Sequence, residues 1–287
     1  MFLRGGCLMA RFCVFFIFLS FLGMGNKAYG LAEFYLFNGE KEIIYTKEAL
    51  LKRKDKVVLD IPLLNYPNQK LKVEAVPMGA LLMEAGIKDG QIVLFKALDG
   101  FSGVLAKDLL LSKSAQSAQA FLAIEGEEKW PPLEKGGASS EEPRSAGPFY
   151  LVWVNPKLSQ IPPEFWPYQL AGMRFESDFR TLFPKVIPKS KSKSVVKGFE
   201  VYKARCLSCH TMNRQGPSKM GPDLNVPMSP VEYFKKQALV KFLKDPASVR
   251  EWDSMKMRFV GDTGLNENEA YNVIAYLTHM AAKREKK

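Results

Sequence analysis

The pentapeptide Cys206-Leu207-Ser208-Cys209-His210 places two thiols and an imidazole within five residues, and no other segment constrains the chain as strongly. Three chemistries use such a cluster: a dithiol redox couple, half of a zinc site, and the attachment of a haem. A dithiol motif is expected beside a βαβ pattern, which the flanking sequence lacks. A zinc site needs further ligands, and the only other histidine of the chain is His279. Both of these alternatives are therefore disfavoured.

The remaining chemistry is the covalent attachment of one c-type haem, for which C-x-x-C-H is the characteristic spacing. Thioether bonds from Cys206 and Cys209 would fix one edge of the macrocycle. The next residue, His210, would then lie under the iron as the proximal ligand. We therefore predict one haem c, with iron as its metal.

The first 30 residues read as a secretory signal. Arg4 and Arg11 supply a positive start, residues 13–25 form an apolar run, and residues 28–30 offer a cleavage site after Gly30. The apolar run is shorter than the ~20 residues that span a bilayer, although an uncleaved N-terminal anchor is an alternative. The protein is therefore expected in the periplasm of a Gram-negative-type cell, with membrane association if the segment is retained.

Signal removal would also leave Cys206 and Cys209 as the only cysteines of the mature chain, because the other two, Cys7 and Cys13, lie in the signal. An exported protein lives where free thiols oxidise. Both remaining cysteines are thus expected to be consumed by a single ligand.

With 287 residues, the chain is too long for one small haem domain. We predict a domain over 31–184, a Lys/Ser/Pro linker over 185–194 that forms an extended, solvated hinge, and a second domain over 195–287. The second domain carries 16 basic and 10 acidic residues. This excess suits an acidic redox partner, whereas nucleic acid is a poor partner for an exported chain.

Hydrophobic patterns predict an α+β fold with two domains. The first is mostly β, with strands in residues 56–64, 91–98 and 148–156 and a short helix over 76–87. The second is all α, with helices over 195–206, 229–246 and 266–284. Ser229 and Asn266 are placed to cap the last two helices.

Residues 195–287 resemble a class I cytochrome c domain. The resemblance rests on a helix leading into the C-x-x-C-H motif, the tetrapeptide Gly221-Pro222-Asp223-Leu224, a methionine-rich segment and a C-terminal helix. It implies that the Pro222 carbonyl accepts a hydrogen bond from His210, which would orient the imidazole. It also implies that the first and last helices cross where Gly198 meets Tyr276 or Tyr271.

The same resemblance implies a methionine as the sixth ligand, shortly before the last helix. Met257 is favoured because it is closer to Phe259, and Met255 is the alternative; the proline usual after this methionine in the family is absent. His279 is the only histidine alternative and is expected at the surface. His/Met ligation would leave no open site for a substrate.

Residues 31–184 resemble the sulfite-oxidase-type fold that binds a molybdopterin cofactor, through residues 76–87, 98–111 and 147–156. That family holds molybdenum with a cysteine thiolate, and this domain of the mature chain has no cysteine. Tyr150 also stands where the family has an arginine. The fold is therefore expected without a molybdenum cofactor, and Trp130 and Trp166 are expected in the core or at a domain contact.

Together these features favour an exported electron carrier or subunit over a catalyst. The N-terminal domain would serve as a docking module for a redox protein or a respiratory complex. Two other functions stay open: an oxidoreductase whose N-terminal domain binds a small substrate or molybdenum cofactor, and a haem-based sensor with a labile sixth site.

Overall fold

The computed structural model describes residues 32–63, 69–87, 92–133, 145–252, 255, 257 and 264–284. The predicted signal, residues 1–30, lies outside them. Within the described part of the chain, none of the helices is both long enough and apolar enough to cross a membrane.

The N-terminal part is built mainly of strands, with short helices between them. Its elements are β1 Glu33–Phe37, β2 Glu42–Thr46, α1 Lys47–Leu51, β3 Val57–Pro62, β4 Lys70–Pro77, α2 Met78–Glu84, β5 Ile92–Ala97, β6 Ser102–Ala106, α3 Lys107–Leu111, β7 Gln119–Ile124, β8 Phe149–Val154, β9 Leu170–Glu176 and α4 Phe179–Leu182. The strands predicted from the sequence correspond to β3, β5 and β8, and the predicted helix corresponds to α2.

The strands form two sheets, with the orders β2-β1-β9-β5-β6 and β3-β4-β7-β8. Only the β1–β9 pair is parallel among the described pairs; it makes the first sheet mixed. Strand β8 is buried along its first five residues, which explains why its sequence is a continuous apolar run rather than an alternating one. The inner faces of both sheets contribute to one hydrophobic core.

The C-terminal part is helical, as predicted. Its described helices are α5 Lys193–Arg205, α6 Pro230–Tyr233, α7 Lys236–Lys244 and α8 Glu267–Ala282, together with a 3₁₀ turn at Pro246–Ser248. The chain is thus of the α+β class, with mixed sheets first and helices after them. The predicted cap of α8 is confirmed: the Asn266 side chain accepts a hydrogen bond from the Glu269 amide at 3.0 Å.

The single helix predicted over 229–246 is wrong, because the chain breaks it into α6 and α7. Phe234 and Lys235 adopt extended backbone angles between the two helices. The break turns Phe234 toward Phe242, with ring centroids 5.4 Å apart. Local helix propensity gives way here to aromatic packing within the domain.

Helices α5 and α8 cross at Gly198, as the family resemblance implied. A Cβ atom on Gly198 would lie 1.8 Å from the carbonyl oxygen of Asn272 and 2.9 Å from the Cβ of Tyr276. Of the two tyrosines considered for this crossing, Tyr276 is the one in contact, whereas Tyr271 is exposed. Only glycine permits the two backbones to approach this closely.

The expectation of a solvated hinge does not hold at the start of the linker. Val186 is buried in the C-terminal core together with Phe183, just before the linker, and Tyr276 donates a hydrogen bond from its hydroxyl to the Val186 carbonyl at 2.7 Å. Residues Leu31–Lys287 form one compact unit. The lysines of the linker, Lys189 and Lys191, are exposed as expected.

Candidate haem-attachment site

The C-x-x-C-H segment forms a tight turn that continues directly from α5. The Cys206 amide donates to the Tyr202 carbonyl at 2.9 Å, and the His210 amide donates to the Cys206 carbonyl at 2.8 Å. The fully buried Tyr202 donates its hydroxyl to the His210 carbonyl at 2.9 Å. These bonds hold both cysteines and the histidine in one turn, as attachment to a single macrocycle requires.

The imidazole of His210 is held at one nitrogen. Its Nδ1 lies 2.8 Å from the Pro222 carbonyl oxygen. Because a carbonyl only accepts, Nδ1 must carry the proton, which leaves the Nε2 lone pair for a metal. Gly221 lies flat against the ring, since a Cβ there would fall 2.4 Å from Cε1. Burial lowers the pKa of His210, which favours the neutral form that binds iron.

Asp223 fixes the segment that presents the Pro222 carbonyl. Its carboxylate accepts from the Thr211 hydroxyl at 2.8 Å, the Arg214 amide at 2.6 Å and the Asn225 amide at 2.8 Å. The loop after the motif is thereby tied to the residue that follows His210. Sequence reasoning noted this aspartate within the tetrapeptide but missed its partners, because nothing in the local pattern indicates which donors will reach it.

Cys206 and Cys209 are free thiols, the first buried and the second half-buried. Burial raises the pKa of Cys206 to about 12 and that of Cys209 to about 11, and the nearby Glu164 carboxylate adds to both shifts. Such thiols stay protonated at neutral pH, unlike the thiolate of a dithiol redox site. The described residues also hold no group of three or more His, Cys, Asp or Glu side chains suited to a metal ion.

Both candidate methionines are among the described residues. Met255 is buried, and Met257 is half-buried and packs against the core cluster that contains Cys206 and Leu207. Phe259, which guided the choice of Met257, lies outside the described residues. His279 is only half-buried, on α8.

A covalent haem fits this turn by the chemistry of its donors, which are two free thiols and one oriented imidazole. These features are the ones expected of a class I cytochrome c domain. Comparison with known families agrees, because residues 195–281 match the family model described as Cytochrome c. The C-terminal part of the chain is therefore a cytochrome c domain, which indicates a haem-binding, electron-transfer protein. A domain of this family implies covalently bound haem c with iron. The match covers less than a third of the 287 residues.

The N-terminal part lacks the thiolate with which the resembled family holds molybdenum. The sequence from 31 to 205 has no cysteine or histidine. Tyr150, at the position where the resembled family has an arginine, is fully buried, with its ring centroid 4.6 Å from that of Tyr168. Trp130 and Trp166 pack on the same tyrosine and belong to the core, as expected from the sequence.

Proposed function

We propose that this chain is an exported c-type cytochrome that carries electrons through one covalently bound haem. Cys206 and Cys209 form the thioethers, His210 is the proximal ligand, and Met257 is the sixth ligand, with Met255 as the alternative. The observation that carries the proposal is the 2.8 Å contact between His210 Nδ1 and the Pro222 carbonyl, in the same turn as two free thiols. Because this contact keeps the proton on Nδ1, the Nε2 lone pair is left to bind iron.

When bound, the haem supplies a one-electron couple, and the protein sets its ligands and surroundings. The Pro222 carbonyl orients the His210 ring and raises its basicity. Buried Leu207, inside the motif, and buried Met212, two residues after it, exclude water. A methionine on the far face would close the sixth position, which favours electron transfer over substrate chemistry.

Replacing the methionines tests this assignment in the full chain with its haem. Met257→Leu is expected to lower the reduction potential and to let the reduced protein bind carbon monoxide. Met255→Leu should leave both properties unchanged, as should the control Met228→Leu, which removes an exposed methionine of the same domain. Carbon monoxide binding by Met255→Leu but not by Met257→Leu would reassign the ligand. Binding by the unsubstituted protein would contradict His/Met ligation and favour a sensor.

The N-terminal part would act as a docking module with a sulfite-oxidase-like fold that lacks its cofactor. Two observations support this proposal: the sequence of this part has no cysteine to hold molybdenum, and its strand β6 lies against Ser208 of the haem-attachment turn. Metal analysis of the purified protein should find iron without molybdenum. Stoichiometric molybdenum beside iron would revive the alternative of an oxidoreductase.

The partner would be a redox protein or respiratory complex with an acidic surface, in the periplasm. Helix α7 supports this view, since Lys236, Lys241 and Lys244 are exposed on it and its sequence contains no acidic residue. Such a face steers an acidic partner toward the haem domain. Export itself can be checked by mass spectrometry, with a mature chain beginning at Leu31 as the expected result and an intact N-terminus as the contrary one.

A further inference from the structure

The N-terminal part lies directly on the haem-attachment turn. Ser208, between the two cysteines, is 1% exposed. Gly103 of β6 faces it, and a Cβ on Gly103 would fall 2.8 Å from the Ser208 hydroxyl oxygen. Strand β6 therefore lies against Ser208, between the two cysteines, which places groups of the N-terminal part within electrostatic range of a haem bound there.

One of these groups is a carboxylate in an ion pair that joins the two parts. Glu164, in a 3₁₀ turn at Pro163–Phe165, accepts a hydrogen bond from Arg205 Nε at 2.7 Å. The two side chains are only 14% and 12% exposed. Arg205 immediately precedes Cys206, so both charges are held beside the first thioether position.

Buried charges of this kind act strongly on a nearby redox centre, because little solvent screens them. A ferric haem carries one more positive charge than a ferrous one. A fixed carboxylate therefore stabilises the oxidised form and lowers the potential, whereas a fixed guanidinium raises it. In the native pair the two effects oppose each other, and the ion pair holds each charge in position.

We propose that Glu164 and Arg205 form a balanced charge pair across the contact between the two parts of the chain, in which each charge shifts the reduction potential of the haem in the direction opposite to the other. This proposal rests on the proposed function, since it requires a haem at Cys206 and Cys209. It gives the N-terminal part a second role beyond docking: it supplies one of the charges that tune the redox centre. Glu164 acts as a positioning and tuning residue without touching the iron ligands.

The test is a spectroelectrochemical titration of the full chain with its haem. Glu164→Gln is expected to raise the midpoint potential, and Arg205→Gln is expected to lower it. The double variant E164Q/R205Q should return close to the value of the unsubstituted protein. A merely structural role would shift both single variants in the same direction or shift neither, and either outcome would overturn the proposal.

Asp99→Asn provides a matched control, because Asp99 is another carboxylate of the N-terminal part that acts on Cys209 but is exposed. Its effect should be smaller than that of Glu164→Gln and should fade at high ionic strength, whereas the Glu164→Gln shift should persist. If Arg205→Gln does not fold, Arg205→Lys takes its place in the test. This variant retains the charge, so its midpoint potential should differ from the native value by no more than that of Asp99→Asn does. A shift as large as that of Glu164→Gln would contradict the proposal. Absence of covalent haem would instead defeat the proposed function, so the two failures are distinguishable.

Discussion

At the scale of single residues, Glu125 shows how the N-terminal core accommodates a buried charge. The side chain is 3% exposed, yet its carboxylate accepts hydrogen bonds from the Ser145 hydroxyl at 2.6 Å, the Lys129 ammonium at 2.9 Å and the Trp130 amide at 3.0 Å. Burial alone would raise the pKa of Glu125, but the bonds from Ser145, Lys129 and Trp130 outweigh it and lower the pKa. The carboxylate thus stabilises the fold only while it is ionised.

Glu125→Gln should reduce the free energy of unfolding at pH 7 by about 1–3 kcal/mol, because the amide places a donor against groups that need an acceptor. Since the folded pKa lies below the unfolded value of 4.5, the native contribution is present above pH 4.5 and is lost as the pH falls through the folded pKa. The difference between the two proteins should therefore shrink at low pH. Denaturant unfolding at pH 7 and at acid pH measures this difference in the free energy of unfolding, with Glu127→Gln, at an exposed position, as the control. A difference that does not change with pH would contradict this account.

At the scale of elements, the crossing of α5 and α8 organises the haem domain. Sequence reasoning could predict this crossing because it depends on one small residue and one aromatic, Gly198 and Tyr276, at positions that the family resemblance marks. It could not predict the break between α6 and α7. That break contains no proline or glycine and depends on the packing of Phe234 against Phe242, which is a tertiary contact.

Gly198→Ala should destabilise the haem domain by about 1–3 kcal/mol or more, because the new methyl group would lie 1.8 Å from the Asn272 carbonyl and would force the helices apart. Thermal and denaturant unfolding measure the loss. The control Gly126→Ala adds the same methyl group where nothing lies within 4 Å, and should change little. Equal stability of Gly198→Ala and the native protein would show that the helices do not meet at this position.

At the scale of the whole molecule, the sequence is enough to predict Cys206, Cys209 and His210 as the attachment residues, because they lie within five positions at the spacing characteristic of haem attachment. Sequence reasoning missed the Glu164–Arg205 pair, whose members are 41 residues apart and belong to different parts of the chain. It also predicted a fully solvated linker, whereas Val186 is buried. A segment rich in Lys, Ser and Pro gives no periodic pattern from which one buried apolar residue could be predicted.

Charge on α7 should govern electron exchange with small redox reagents. Oxidation of the reduced protein by anionic ferricyanide should slow as ionic strength rises, whereas oxidation by the cationic complex tris(phenanthroline)cobalt(III) should accelerate. The double variant K241E/K244E should slow the ferricyanide reaction by roughly an order of magnitude at low ionic strength. The control Lys54→Glu changes an exposed lysine near α1 and should have a smaller effect. Equal rates for all three proteins would place electron exchange elsewhere on the surface.

The most direct test of the account is the haem content of the full chain, produced together with a haem-attachment system and extracted with acidified acetone. The account predicts one haem per chain that resists extraction and gives the pyridine haemochrome spectrum of a haem with two thioether bonds. The variant C206A/C209A should retain none after extraction. Haem that is extracted from the native chain, or a native chain that acquires none, would contradict the central claim that this protein is a covalent-haem electron carrier.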